Sequence, residues 1–346
     1  MEAVRGTHFD DVFDATGFGS AGALNVGSSG TFNDFGGAGG NDTVIGNGFT
    51  RLNYSNAIGA ITADLEISTI GTTNAITVIG TATGAGEGTD SLTGVNAVQG
   101  SVFADTLLGS SFSNTFTGLG GDDYIDGRGS FDTASYNSLG LATAGVSVNL
   151  AAGIATGDAS VGTDTLRNIE GVQGTNFADT FNATGYGLGS ALNVSTSNGN
   201  FNQFEGLGGD DSITGNGNTR LIFTNATAGV TVDLAAGTAT GNASVGSDSF
   251  TGVNSVQGSN FADTYNASGF VGFNSFTGLG GDDTITGNGN TQIFFNNVTG
   301  GVTVNLATGN VNGDASVGHD TITGGVNNVQ GTNFNDTLVG GLGNDS

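Results

Sequence analysis

One phrase returns five times along the chain: VRGTHFDDV from Val4, VQGSVFADT from Val98, VQGTNFADT from Val172, VQGSNFADT from Val256 and VQGTNFNDT from Val329. The intervals are 94, 74, 84 and 73 residues. A chain that repeats itself at this period folds as an array of similar units, each burying its apolar side against its neighbours. The module boundaries read as 1–94, 95–168, 169–252 and 253–325, with a partial fifth module over 326–346. The first and last modules both break off inside repeated phrases, which predicts that the sequence is cut from a longer array.

Every module passes through the same stations. A Gly-rich turn follows the opening phrase: GGAGGND at Gly36, GLGGDD at Gly118, Gly206 and Gly278, and GGLGND at Gly340. Next comes an alternating segment, GVSVNLAAG at Gly145, GVTVDLAAG at Gly229 and GVTVNLATG at Gly301. Period-2 alternation marks half-buried strands, and no stretch sustains the 3.6 period of a helix. The second module has a finer period. Gly100, Gly109, Gly118 and Gly127 open four nine-residue units, with Asp105, Asn114, Asp123 and Asp132 at the sixth positions and Leu107, Phe116, Ile125 and Ala134 at the eighth. Each unit is a polar turn followed by a short strand with one inward apolar residue. Two units close a coil of 18 residues, and coils stack at the strand spacing of about 4.8 Å. The predicted fold is therefore all-β, a parallel β-roll or β-solenoid. The Phe series Phe103, Phe177, Phe261 and Phe334 is expected to form a core ladder.

Composition narrows the function. The net charge is −26, from 31 acidic residues against five arginines and no lysine, which excludes a phosphate-neutralising nucleic-acid surface. There is no cysteine, so no disulfide, thiol nucleophile or Cys-based zinc site. No apolar run approaches the length of a membrane-spanning helix. A solenoid polysaccharide lyase would need a basic proton acceptor and a groove for an acidic polymer, and the charge speaks against both. His8 and His319 read as variable turn residues. TATG and IATG segments raise the idea of a threonine ice-binding face, which needs T-x-T on every coil; no such regularity is visible in the sequence.

Acid positions repeat with the coil. Asp105 and Asp123 lie 18 residues apart, as do Asn114 and Asp132. Carboxylates stacked about 5 Å apart repel by roughly 1 kcal/mol in water and more beside an apolar wall. Such a stack calls for a cation, and an all-oxygen donor set without His or Cys favours calcium.

These units resemble the G-G-x-G-x-D-x-U-x nonapeptides of the repeats-in-toxin (RTX) family, the haemolysin-type calcium-binding repeats. The likeness is best over Gly118–Asp132 (GLGGDDYIDGRGSFD) and Gly340–Asp345. It implies a calcium-bound β-roll, export by type I secretion and folding outside a Gram-negative cell. It also implies that sixth-position aspartates are side-chain ligands. That carries to Asp105, Asp123, Asp132, Asp336 and Asp345, and by alignment to Asp11, Asp42, Asp179, Asp211, Asp263 and Asp283. The pattern departs from the family where partners lie 20, 32 or 31 residues apart (Asp263/Asp283, Asp179/Asp211, Asp11/Asp42), so insertions must loop out between those coils. On the second edge Arg51, Arg220 and Gln292 align with Asp132, placing a guanidinium above Asn33 or Asn202 in place of an ion. A second acidic set, Asp90, Asp164, Asp248 and Asp320, reads either as local turn caps or as further calcium ligands.

Three functional classes follow. The first is an extracellular calcium-binding structural array, part of a surface adhesin, filament or surface-layer-like assembly. Copies of the chain are candidate head-to-tail partners for it, because unpaired strand edges template further strands. The second is the export and folding region of a secreted RTX enzyme whose catalytic domain lies elsewhere. The third, an enzyme built on the solenoid, finds no catalytic constellation here.

Overall fold

The computed structural model describes residues 2–20, 30–70, 76–84, 86–137, 141–189, 191–195, 197–341, 343 and 345. The described residues contain 28 β-strands and no helix. The chain forms two compact units, Met1–Gln173 with Gly185–Asn200, and Gly174–Thr184 with Phe201–Ser346. Each is a stack of mostly parallel strands, a β-roll as the repeats predict.

In the first unit the 18-residue coil is visible in the register. Tyr124 pairs with Thr106, and Thr133 with Thr115, both in parallel. The inward residues then stack as two ladders. Leu107, Ile125 and Leu166 form one, and Val98, Phe116, Ala134 and Val172 the other. All are at most 2% exposed. Alternation explains this: the apolar middle residue of each three-residue strand points in, and its neighbours, mostly Thr or Ser, flank it on the other side of the strand.

Longer strands replace some coils. Thr43–Asn53, Ser212–Ile222 and Thr284–Phe294 each run through a corner instead of breaking into two strands. Register shifts mark the corners, at Thr50/Arg51 in the first unit and at Thr219/Arg220 and Thr291/Gln292 in the second. Such bulges bend a strand without unpairing it.

The alternating V-x-V-x-L segments join the stack as reversed hairpins. Thr231–Asp233 pairs antiparallel with Thr238–Thr240, which pairs antiparallel with Ser247–Gln257, and its outer edge continues in parallel to Thr264–Asn266. Thr303–Asn305 and Asn310–Asn312 repeat the pattern, as do Ser147–Asn149 and Ile154–Thr156 in the first unit. The reversal is written locally. Asp233 Oδ1 accepts the Ala236 N–H, and Gly237 takes a φ of 70° that closes the turn. A hairpin thus adds two strands to the stack without a full coil.

The aromatic core differs from the expected ladder. Phe103, Phe177, Phe261 and Phe334 are 42–52% exposed. Each sits on the outside of a G-[S/T]-x-F-x-D turn, where the inward space is taken by the Asp two residues later. The packed rings are those at strand centres: Phe13 on Phe35, Phe181 on Phe204, and Tyr265 on Phe276, each with centroids 4.8 Å apart. Along the stack Phe181 is in register with Ile213 and Phe204 with Leu221, so each ring pair joins two different ladders across the core. Phe181→Ala, fully buried, is therefore expected to destabilise the array by about 3–5 kcal/mol. Phe177→Ala, four residues away, should cost no more than about 1 kcal/mol. Equal shifts of the two variants in urea unfolding would restore the outer series to the core.

Candidate metal centre: a buried carboxylate column

Each coil is tied to the next by one repeated bond. The backbone N–H of an acidic turn residue donates to the carboxylate of its counterpart one coil on. In the first unit Asp11 donates to Asp42 Oδ1 and Asp42 to Asp90 Oδ1, both at 2.9 Å. The rungs continue from Ile61 to Asp105 (2.8 Å), from Asp105 to Asp123 (2.8 Å) and from Asp123 to Asp164 (3.0 Å). In the second unit Asp179 donates to Asp211 and Asp211 to Asp248. Val230 donates to Asp263, Asp263 to Asp283 and Asp283 to Asp320, and Val302 to Asp336. The looped pairs Asp11/Asp42, Asp179/Asp211 and Asp263/Asp283 are thus brought together in spite of their irregular spacing.

This register decides the role of the second acidic set. Asp90, Asp164, Asp248 and Asp320 are not local turn caps. They accept N–H groups 37–48 residues away and terminate each run of rungs. Tyr54 donates to Asp90 Oδ2 at 2.7 Å; Tyr136 lies beside Asp164, but its hydroxyl and Asp164 Oδ2 are both buried without a hydrogen-bond partner. Phe223 and Phe295 take the tyrosine's place in the later modules.

A second edge carries acid at Asp132 of the second module and at Glu170, where the third begins. Asn114 donates its N–H to Asp132 Oδ1 (2.7 Å), and Asp132 donates to Glu170 Oε2 (2.8 Å). Glu170 was not foreseen from the sequence; it stands where Asn96, Asn254 and Asn327 stand in the other modules, and that substitution was the available signal. The expected stacking of Arg51 or Arg220 above an asparagine does not occur. The long strand takes eight residues from Val44 to Leu52 where the second module takes nine from Ile125 to Ala134, so Thr50 faces Asn33 and Arg51 faces Asp34. Arg51 pairs with Asp34 at 3.1 Å and lies over the Phe32 ring; Arg220 lies over Phe201 and donates to Ser255. Asp132's place is filled by buried Thr50, Thr219 and Thr291, whose hydroxyls donate to Asn33, Asn202 and Asn274.

The eleven candidate ligands fall into two chemical groups. Asp105, Asp179, Asp263 and Asp336 spend both oxygens on their own turn. Each takes the N–H of the Ser or Thr four residues earlier on Oδ2, and its hydroxyl on Oδ1. Asp11 Oδ2 takes both the N–H and the hydroxyl of Thr7, and Asp345 takes the Gly341 N–H. Asp42, Asp123, Asp132, Asp211 and Asp283 differ. They are at most 2% exposed, and Oδ2 of each has no hydrogen-bond donor from the protein. The residue four positions before Asp42, Asp123, Asp211 and Asp283 is Ala38, Leu119, Leu207 or Leu279, with no hydroxyl and a φ of 67–74°.

Glycine makes room for these side chains. A Cβ on Gly206 would lie 1.7 Å from Asp211 Oδ2, and one on Gly118 1.9 Å from Asp123 Oδ2. The carboxylate fills the space that any other residue would occupy. Burial drives the acids' affinity for protons upward, partly offset by the incoming N–H and reinforced by the neighbouring carboxylate. Asp123, Asp132, Asp211 and Asp283 are raised to about 8. Asp164, Asp248 and Asp320 reach about 7, and Asp90 about 6.

These five orphaned, hard oxygens fit a divalent cation in donor type. Among the described residues no three acidic or histidine side chains converge. An ion held at one of these carboxylates would therefore complete its shell with backbone carbonyls and water, as calcium does. No protein-family model matches the chain, and no curated protein matches its sequence.

Two predictions follow from the column. Gly206→Ala should lower the melting temperature far more than Gly217→Ala. Gly217 has a φ of 90° but nothing within 4 Å of an added Cβ, so only the left-handed penalty of about 1–2 kcal/mol applies there. Comparable losses would mean that the carboxylate is not held against Gly206. The second concerns pH. The folded values of the column acids lie above the unfolded 3.8, so the folded chain holds protons that the unfolded chain releases. Cation-free stability is then full below about pH 4 and declines as pH rises through about 8. Melting in EGTA should fall steadily from pH 5 to pH 8; a flat or rising profile would contradict the burial of these groups.

Proposed function

We propose that this chain is an extracellular, calcium-stabilised structural array of the RTX kind, forming part of a surface adhesin, filament or surface-layer-like assembly. The observation that carries the reading is the column itself. Five of its buried sixth-position carboxylates keep one oxygen without a protein donor, and a proton or a cation there offsets the cost of their burial. Asp42, Asp123, Asp132, Asp211 and Asp283 would hold the ion, with Asp164 and Glu170 as their stacked neighbours. Calcium would supply the charge that backbone N–H groups only partly offset. Asp105, Asp179, Asp263 and Asp336 would act beside it as turn locks.

The consequence is a charge-gated fold. Without calcium the net charge of −26 expands the chain, and short strands with a thin core do not offset the ordering entropy. The chain stays export-competent where free calcium is low. Outside the cell, binding to the folded stack becomes folding free energy. Repetition of an 80-residue unit is the economical way to extend such a stack, which suits a spacer or scaffold.

A far-UV circular dichroism titration tests this. EGTA-stripped protein at neutral pH should pass cooperatively from coil to β as calcium rises from micromolar to millimolar. Asp123→Asn and Asp211→Asn, which remove a charge while keeping the rung acceptor, should raise β content in EGTA and blunt the calcium response. A full β spectrum in EGTA that calcium leaves unchanged would reject calcium as the stabilising ion.

A further inference from the structure

We infer that the second unit presents an ice-binding face, a grid of hydroxyl and amide groups on the outer side of its strand stack. The threonine regularity is absent from the sequence because the hairpins interleave segments that are distant along the chain. The register restores it. Thr240, Thr231, Thr264, Thr284 and Thr321 follow one another on five adjacent strands, with Ser247 before them and Asn310 and Asn305 after. A second row runs beside it: Thr180, Ser212, Ser249, Thr238, Asp233, Asn266 and Thr286.

Successive strands contribute outward pairs around a buried centre: T-x-N at Thr180, S-x-T at Ser212, S-x-S at Ser247, T-x-T at Thr238 and T-x-D at Thr231. In the five-threonine row all side chains are exposed. The rows are spaced by the strand separation of about 4.8 Å in one direction and by two residues, about 6.7 Å, in the other. This is a two-dimensional lattice set by backbone hydrogen bonds and not by side-chain choice.

Three properties select ice as the occupant. The first is charge. On a chain of net charge −26, the outward pairs of these strands carry a single carboxylate, Asp233. Exposed Asp210 and Asp282 border the rows two residues before Ser212 and Thr284, but within the rows a charged polymer meets one carboxylate, so the complementary partner is electroneutral. The second is stiffness. Threonine is restricted at χ1, so the array is ordered before contact and little rotamer entropy is lost on binding. The third is chemistry. Threonine offers a hydroxyl that anchors water and a methyl that shapes the space between rows, and no aromatic ring stands in these rows to stack on a sugar. In the first unit Tyr124, Ile154 and Arg167 occupy outward positions and interrupt the pattern.

The test uses the full chain in calcium, first confirmed as β by circular dichroism. Nanolitre osmometry and ice-recrystallisation assays should show faceted crystals, thermal hysteresis and slowed recrystallisation. Thr264→Tyr and Thr284→Tyr, which place a ring in the middle of the main row, should each remove most of that activity. Val271→Tyr, at a 91% exposed loop position off the strands, should leave it intact. Folded protein without ice activity overturns the inference. So does activity that survives both threonine variants. Sedimentation with crystalline chitin or cellulose, without any effect on ice, would overturn it in favour of a neutral polysaccharide surface.

Discussion

The structure depends on one bond repeated along its length: a backbone N–H donated across the coil gap to a buried carboxylate. Parallel strands stack through their ladders alone, but the turns between them have no ladder. Without a further acceptor the turn N–H groups of successive coils would be stranded against one another. The carboxylate solves this and creates a second problem, because it is itself buried and charged. Proton, cation or neutral substitution must settle that charge. The chain shows three arrangements: a tyrosine donor at Asp90, orphaned oxygens at Asp123, Asp164 and Asp211, and the Thr–Asn pairs that replace the acids on the second edge.

Glycine follows from the same constraint. The residue five positions before each sixth-position aspartate must lack a side chain because the carboxylate lies over its Cα. Gly and Asp therefore recur together for a steric reason as much as for turn conformation. The loops then diversify around that fixed pair. The turns of Asp105, Asp179, Asp263 and Asp336 add a Ser or Thr that satisfies the acid locally. The G-L-G-G-D-D turns replace it with an apolar residue in the left-handed region, which leaves the acid short of donors. Two otherwise similar turns thereby acquire different chemistry from one residue.

Much of this was legible in the sequence, and the illegible parts share one cause. The coil length was readable from Asp105/Asp123 and Leu107/Ile125, since 18-residue spacing carries over directly into vertical stacking. The sixth-position acids were readable for the same reason. Bulges and hairpins were not. The corner of Thr43–Asn53, one residue shorter than that of the second module, moved Arg51 one residue off its expected partner, which turned a supposed ion substitute into a pair with Asp34. The hairpins placed Asp248 and Asp320 one coil beyond Asp211 and Asp283, although their sequence spacing suggested isolated turns. Phe103 and its counterparts were misplaced because composition marks an aromatic residue as core, while the turn geometry had already given the inward position to Asp.

Charge partition is the wider result. The acids concentrate at the turns, where they tie coils together, and almost vanish from the outward strand positions of the second unit. Period 2 makes that separation possible: in T-x-T strands the middle residue fills the core and its neighbours face water, while acids lie just before the strand in the turn. One sequence can therefore change its charge-gated stability and its outer surface independently. Substitutions at Asp211 or Gly206 alter whether the stack forms; substitutions at Thr264 or Thr284 alter only what the formed stack meets. A repeat array with that independence can be lengthened by duplication without disturbing its outer surface, since each added coil brings its own carboxylate rung and its own outward pair.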